Sequence, residues 1–148
     1  MSISSFHTCI VTSPPAAPVV LLVDDNPQNL ELMETFVSDL PARVFVAHDG
    51  VDALEKVLKY RPDLIVLDVM MPRMSGFELC RKLKSDLIRC AIPILMVTAL
   101  NEPEDREYAY QIGTDDFISK PINKFDFLRR IKGLLNEGPD SGRRRADG

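Results

Sequence analysis

Apolar positions along this chain keep switching between short unbroken runs and helical spacing, and the switch repeats five times. The first run is "VVLLV", Val19 to Val23. Asn26 then supplies an N-cap and Pro27 suits the first helical position. Leu30, Met33, Val37 and Leu40, with Phe36 beside them, share one face of the helix this spacing predicts. "RVFVA" (Arg43 to Ala47) reads as a second strand. Asp49 can cap a helix that turns Val51, Leu54, Val57 and Leu58 inward and stops before Pro62. "LIVL" (Leu64 to Leu67) is a third strand ending at Asp68. After the loop "MMPRMSG", a helix from Phe77 to Lys84 places Phe77, Cys80 and Leu83 inward. "ILMV" (Ile94 to Val97) ends at Thr98, and Pro103 opens a helix through about Ile112 that Gly113 closes. "DFIS" is a short fifth strand ending at Lys120-Pro121, and the last helix carries Phe125, Leu128, Ile131 and Leu135.

Five βα units in succession call for an α/β fold, a doubly wound five-stranded parallel sheet with helices on both faces. Strands one, three and four are nearly all apolar, as strands covered on both faces are. Strands two and five read as shorter and carry Arg43, Asp116 and Ser119, so they belong at the edges. The order 2-1-3-4-5 meets both conditions and is the flavodoxin-like arrangement. Its chain direction reverses between strands one and three, so ligands bind at the carboxyl ends there. Residues 1–17, rich in Ser, Thr, Pro and Ala, show no periodicity and read as a disordered arm. Residues 18–137 form the one domain, and 138–148, "GPDSGRRRADG", read as a disordered tail or linker.

Composition narrows the class further. The 148 residues are 45% apolar and 27% charged, ordinary for a globular protein. A net charge of −4 argues against a nucleic-acid-binding surface over the whole domain, and Arg143-Arg144-Arg145 is too short a basic run to bind strongly unaided. No apolar run approaches the ~20 residues of a membrane span, and the first residues lack the pattern of a secretory signal. Cys9, Cys80 and Cys90 have no metal-ligand spacing and read as reduced thiols of a cytoplasmic protein.

The topology gathers a particular set of side chains at one rim. Strand one delivers Asp24 and Asp25, strand three Asp68, strand four the hydroxyl of Thr98 and strand five the ammonium of Lys120. At an effective dielectric of ~20, one like-charged pair ~4 Å apart costs roughly 4 kcal/mol. A retained proton or a divalent cation relieves that repulsion. Open carboxylates at loop mouths suit Mg²⁺, a hard ion that takes oxygen ligands and keeps several waters. Such a site fits phosphoryl chemistry, with metal and lysine neutralising the transferring group while a hydroxyl and loop N–H groups hold its oxygens. The central carboxylate, Asp68, is then the acceptor that would become an acyl phosphate.

"LLVDDNP", "LIVLDVMMPRMSG", "ILMVTAL" and "GTDDFISKPI" together resemble the receiver domain of two-component response regulators, over about residues 18–137. Each motif alone is weak; four in order, each at a strand end, are specific. The resemblance implies that Asp68 is the phosphoacceptor and that Asp24 and Asp25 position Mg²⁺, with the backbone carbonyl of Met70 as a further ligand. It assigns Thr98 and Lys120 to the phosphoryl oxygens, Phe117 to the switch aromatic and a cis bond to Lys120-Pro121. Thr98 moving toward the phosphoryl group would vacate space into which Phe117 turns. The sequence departs from the commonest family pattern at Ser75, usually Asp, and at Thr114, usually Ala. Met70 and Leu100 occupy positions that tune phosphoaspartate lifetime in the family.

The implied partners are a histidine kinase or histidine phosphotransfer protein and a downstream effector. The resemblance also implies a phosphorylation-dependent homodimer through the fourth helix, fifth strand and fifth helix. Neither membrane nor direct nucleic-acid binding is expected, and no enzyme activity beyond assisting its own phosphorylation and dephosphorylation. One alternative is the regulatory part of a longer protein with a C-terminal output domain. The stretch "VTALNEPEDREYAYQIGTDDFISKPI" is similar to receivers that precede cyclic-dinucleotide synthase domains. The other is a Mg²⁺-dependent phosphatase with an aspartate nucleophile. It is disfavoured because the acceptor and the acidic pair lie on different strands and no second domain caps a substrate.

Overall fold

Helices in this protein begin where a side chain replaces a missing backbone acceptor. The computed structural model describes residues 17–137, so Cys9, Arg143 to Arg145 and the expectations for residues 1–16 and 138–148 lie outside them. In chain order the elements are β1 (Val19–Val23), α1 (Pro27–Val37), β2 (Arg43–Ala47), α2 (Gly50–Tyr60) and β3 (Leu64–Leu67). They continue as α3 (Gly76–Lys84), β4 (Ile94–Thr98), α4 (Pro103–Gln111), β5 (Asp116–Ser119) and α5 (Lys124–Glu137). The Asn26 side chain accepts from the N–H groups of Gln28 and Asn29, at 2.8 and 3.2 Å, and starts α1. Asp49 accepts from Asp52 at 2.7 Å to start α2, which ends at Arg61 in the left-handed region (φ 50). Ser75 accepts from Glu78 at 3.2 Å to start α3. Serine and aspartate cap about equally well, so the departure at Ser75 leaves the helix start intact.

The strands form one parallel sheet ordered β2-β1-β3-β4-β5, as the apolar pattern implied. β2 has 5 residues, the same as β1. Its place at the edge therefore follows from its exposed and half-buried side chains rather than from shortness. Alternate strand residues feed two cores. Val20, Leu22, Leu64, Val66, Leu95, Val97 and Ile118 pack under α1 and α5, whose Leu30, Met33, Phe127 and Ile131 meet them. Leu21, Val23, Ile65, Leu67, Ile94, Met96 and Phe117 pack on the opposite face with Ala53, Leu79, Cys80 and Ala109. Burial pushes the Cys80 thiol up to about 11, which makes it a core residue and not a nucleophile. Among the described residues, no helix is long and apolar enough to cross a membrane.

Two helices, α2 and α5, are rotated from the expected faces, whereas α3 keeps its expected Cys80 and Leu83 inside with Phe77 packed against the core. In α2, Val51 and Leu58 point to solvent, and Gly50, Ala53 and Val57 are buried. Small residues let this helix lie close to its neighbours: a Cβ on Gly50 would fall 2.6 Å from the Met74 sulfur. In α3 the fully buried residue Leu79 lies beside the expected Cys80 and Leu83, and Phe77 is only partly covered. In α5, Phe125 is 79% exposed, whereas Phe127, Ile131 and Leu134 form the buried face.

Thr114, the other departure, is buried, and its hydroxyl lies 3.0 Å from the Ile94 carbonyl oxygen and 2.9 Å from that of Asp116. At the same amino end of the sheet, the Lys84 ammonium donates to the carbonyl oxygens of Cys90 and Ile92, at 3.1 and 2.8 Å. It also pairs with the Asp115 carboxylate at 3.1 Å. The last turn of α3 is thereby tied to the starts of β4 and β5.

Phe127→Ala should cost about 3–5 kcal/mol, whereas Phe125→Ala should stay within about 0.5 kcal/mol of the parent. Chemical-denaturation midpoints of the two variants check the orientation of α5; the reverse ranking would contradict it.

Candidate functional site

The carboxyl ends of the strands are brought level by hydrogen bonds that extend the ladder past the strands themselves. The Asp24 N–H donates to the Ala47 carbonyl at 3.2 Å, and the Asp68 N–H to that of Val23 at 3.0 Å. The Lys120 N–H donates to the Thr98 carbonyl at 2.8 Å. With the backbone fixed in this way, one carboxylate oxygen from each of Asp24, Asp25 and Asp68 lies within 4.8 Å of the others. Asp24 and Asp68 are buried, and Asp25 faces solvent.

The two buried carboxylates are treated differently. One oxygen of Asp24 accepts the Asn26 N–H at 2.9 Å and the other accepts the Lys120 ammonium at 3.1 Å. Asp68 has an oxygen, Oδ1, that is buried with no hydrogen-bond partner among the described residues. Lys120 Nζ stands 3.9 Å from it, close enough for charge attraction and too far for a hydrogen bond. Burial, reinforced by the Asp24 charge, raises the Asp68 carboxyl from 3.8 to about 6, while Lys120 and the Met70 backbone N–H act in the opposite direction. An unpartnered buried oxygen costs free energy in any fold that leaves it so.

The remaining expected residues surround this oxygen unevenly. Thr98 is buried at the end of β4, where its hydroxyl accepts the Leu100 N–H at 3.3 Å. Met70 follows Asp68 in the loop with an exposed side chain. The Lys120-Pro121 peptide bond is cis. Phe117 lies on β5 with its ring inside the core, 1% exposed. The guanidinium carbon of Arg106 on α4 lies 5.0 Å from the ring centroid.

Two contributors were missed in the sequence. Gly76 opens α3 directly against the end of β3, and a Cβ there would sit 2.2 Å from the Asp68 carbonyl oxygen. Only glycine permits that approach, and its N–H donates to the Val69 carbonyl at 2.9 Å. A lone glycine at the end of "MMPRMSG" was the available signal. Arg106 left no signal, since an arginine among "PEDREY" reads as a solvated helix face.

The response regulator receiver domain model matches residues 20–132. The chain belongs to that family. The receiver is 39% identical over 127 residues to the response regulator MprA of Mycobacterium sp. (strain KMS), covering 82% of this chain and 54% of that protein. It is 40% identical over 115 residues to the response regulator PleD of Caulobacter vibrioides (strain NA1000 / CB15N), covering 78% of this chain and 25% of the relative. The chain thus spans about half the length of MprA, and a quarter of PleD. Among solved structures, the Vibrio cholerae chemotaxis protein CheY4 matches with a TM-score of 0.76 and 32% identity, covering 81% of this chain and 100% of that one. Response regulators of two-component systems work with histidine kinases and downstream effectors, and receiver domains are generally not enzymes.

The raised Asp68 carboxyl fixes the sign of a pH effect. The folded receiver holds this proton up to about pH 6, while the unfolded chain releases it near 3.8. Stability is therefore lost as pH rises through that window and stays lower above it. With divalent cations chelated, Asp68→Asn should stabilise the receiver at pH 7.5 by up to about 3 kcal/mol. The gain should vanish below pH 4, and denaturant titrations at both pH values measure it.

Proposed function

We propose that this receiver accepts a phosphoryl group on Asp68 from a phosphohistidine of a histidine kinase or phosphotransfer protein. The supporting observation is the buried, unpartnered Oδ1 of Asp68 beside the Lys120 ammonium. A carboxylate oxygen without a competing hydrogen bond is free to form the new O–P bond. As it forms, the N–P bond of the phosphohistidine breaks, and the imidazole nitrogen keeps that electron pair and takes up a proton. Asp68 must be ionised to attack, so transfer should weaken as pH falls through about 6.

The three carboxylates and the orphaned oxygen fit a hard, oxygen-preferring cation, so Asp24, Asp25 and Asp68, with the Met70 carbonyl, would hold Mg²⁺. When bound, the ion supplies charge neutralisation at the transferring oxygens. Lys120 is anchored to Asp24 and can turn its remaining donors to the phosphoryl group. Thr98 would donate its hydroxyl proton there while its oxygen keeps the Leu100 N–H. The aspartate pair thus serves the metal, and Asp68 carries the covalent chemistry.

The signal would be read on the surface formed by α4, β5 and α5, by an effector or by a second receiver. Asp116 on β5 is paired there with Arg130 at 2.6 Å, and the Tyr110 hydroxyl lies 3.4 Å from the same carboxylate oxygen. Charges held on three elements let a small shift of one alter the whole face.

Incubation with Mg²⁺ and a small acyl phosphate, read by intact mass, tests the assignment. One phosphoryl group should appear on the parent and none on Asp68→Asn, while Asp25→Asn should raise the Mg²⁺ requirement by at least about tenfold. Equal incorporation in parent and Asp68→Asn would overturn the reading.

A further inference from the structure

Parallel register pairs Met96 with Phe117 and Thr98 with Ser119. Side chains two apart on a strand share a face, so Thr98 and Phe117 are diagonal neighbours beneath α4. That helix is thinly anchored: Ala109 is its one buried residue. Other contacts must set its position, and two aromatic ones stand out. Tyr108 meets Phe77 edge-on at 4.9 Å, and Arg106 covers the Phe117 ring at 5.0 Å. Arg106 forms no salt bridge among the described residues, although Glu102 lies four positions earlier, the usual helical pairing distance. The guanidinium lies on an aromatic face instead.

We propose that Arg106 is a positioning residue that clamps Phe117 inward before phosphorylation, and so presets α4 and raises the readiness of Asp68 to be occupied. The proposal rests on the phosphoacceptor reading for its second half only. If the inward ring and the occupied Asp68 favour each other, each must shift the other by the same factor. A partly solvated cation–ring contact corresponds to a factor of about two to five.

The test uses 4-fluorophenylalanine incorporated throughout the receiver, with Phe117→Leu to assign the resonance. Without Mg²⁺ or phosphoryl mimic, Arg106→Gln should move the residue-117 fluorine signal toward its solvent-exposed position, and Arg106→Lys should restore it. Titration with beryllofluoride and Mg²⁺ should then show a half-saturation point about two- to fivefold higher in Arg106→Gln, with Arg106→Lys near the parent. Saturating beryllofluoride should return the Arg106→Gln signal to the inward position. An unchanged signal in Arg106→Gln would overturn the clamp. A Lys variant as impaired as Gln would overturn it too, by assigning the effect to side-chain shape and not charge. A parent that ignores beryllofluoride would overturn the phosphoacceptor reading and the presetting, while the ligand-free signal still decides the clamp alone.

Discussion

Three carboxylates crowded at one rim repel one another, and only a rigid backbone keeps them there. The parallel sheet supplies that rigidity. Asp24 and Asp68 are the first residues past β1 and β3, and each is tied to the neighbouring strand by its own N–H. Neither can retreat without breaking a ladder bond in a region buried on both faces. The sheet order brings these two strands together, and the crossover helices leave the crevice above them open. Lys120 then divides the pair: by hydrogen-bonding Asp24 it leaves Asp68 with an oxygen that has no hydrogen-bond partner among the described residues.

Much of this was legible in the residue pattern. Strands covered on both faces read as unbroken apolar runs, so β1, β3 and β4 could be found and ordered. The site was legible because each of its residues directly follows or ends a strand. Helix rotation was less so. Val51 and Leu58 satisfy helical spacing as well as Ala53 and Val57 do, and only the closeness of Met74 to Gly50 selects the smaller residues. Phe125 and Phe127 pose the same ambiguity in α5, where size gives no guidance. Contacts between distant elements left no local pattern at all. The approach of Gly76 to Asp68, the ring of Phe117 turned inward and the guanidinium above it depend on packing across more than one element.

Stability is distributed unevenly around the receiver. α1 buries Leu30, Met33 and Val37, while α4 buries Ala109 alone. Apolar burial is the main source of a helix's hold on its sheet, so α4 is the element with least to lose by moving. It lies beside the strand that ends in Thr98 and over the strand that carries Phe117. The most thinly anchored helix and the acidic rim are therefore neighbours by construction.

The ammonium of Lys84 has a mechanical consequence. It fastens α3, β4 and β5 at the edge of the sheet away from the carboxylates, within a few residues of the end of α4. Gly113, just beyond α4, sits against it so closely that a methyl group would strike the lysine chain at 2.8 Å. The carboxyl end of α4 therefore abuts a clamp that already holds α3, β4 and β5, so a change at Lys84 would be felt by four elements at once.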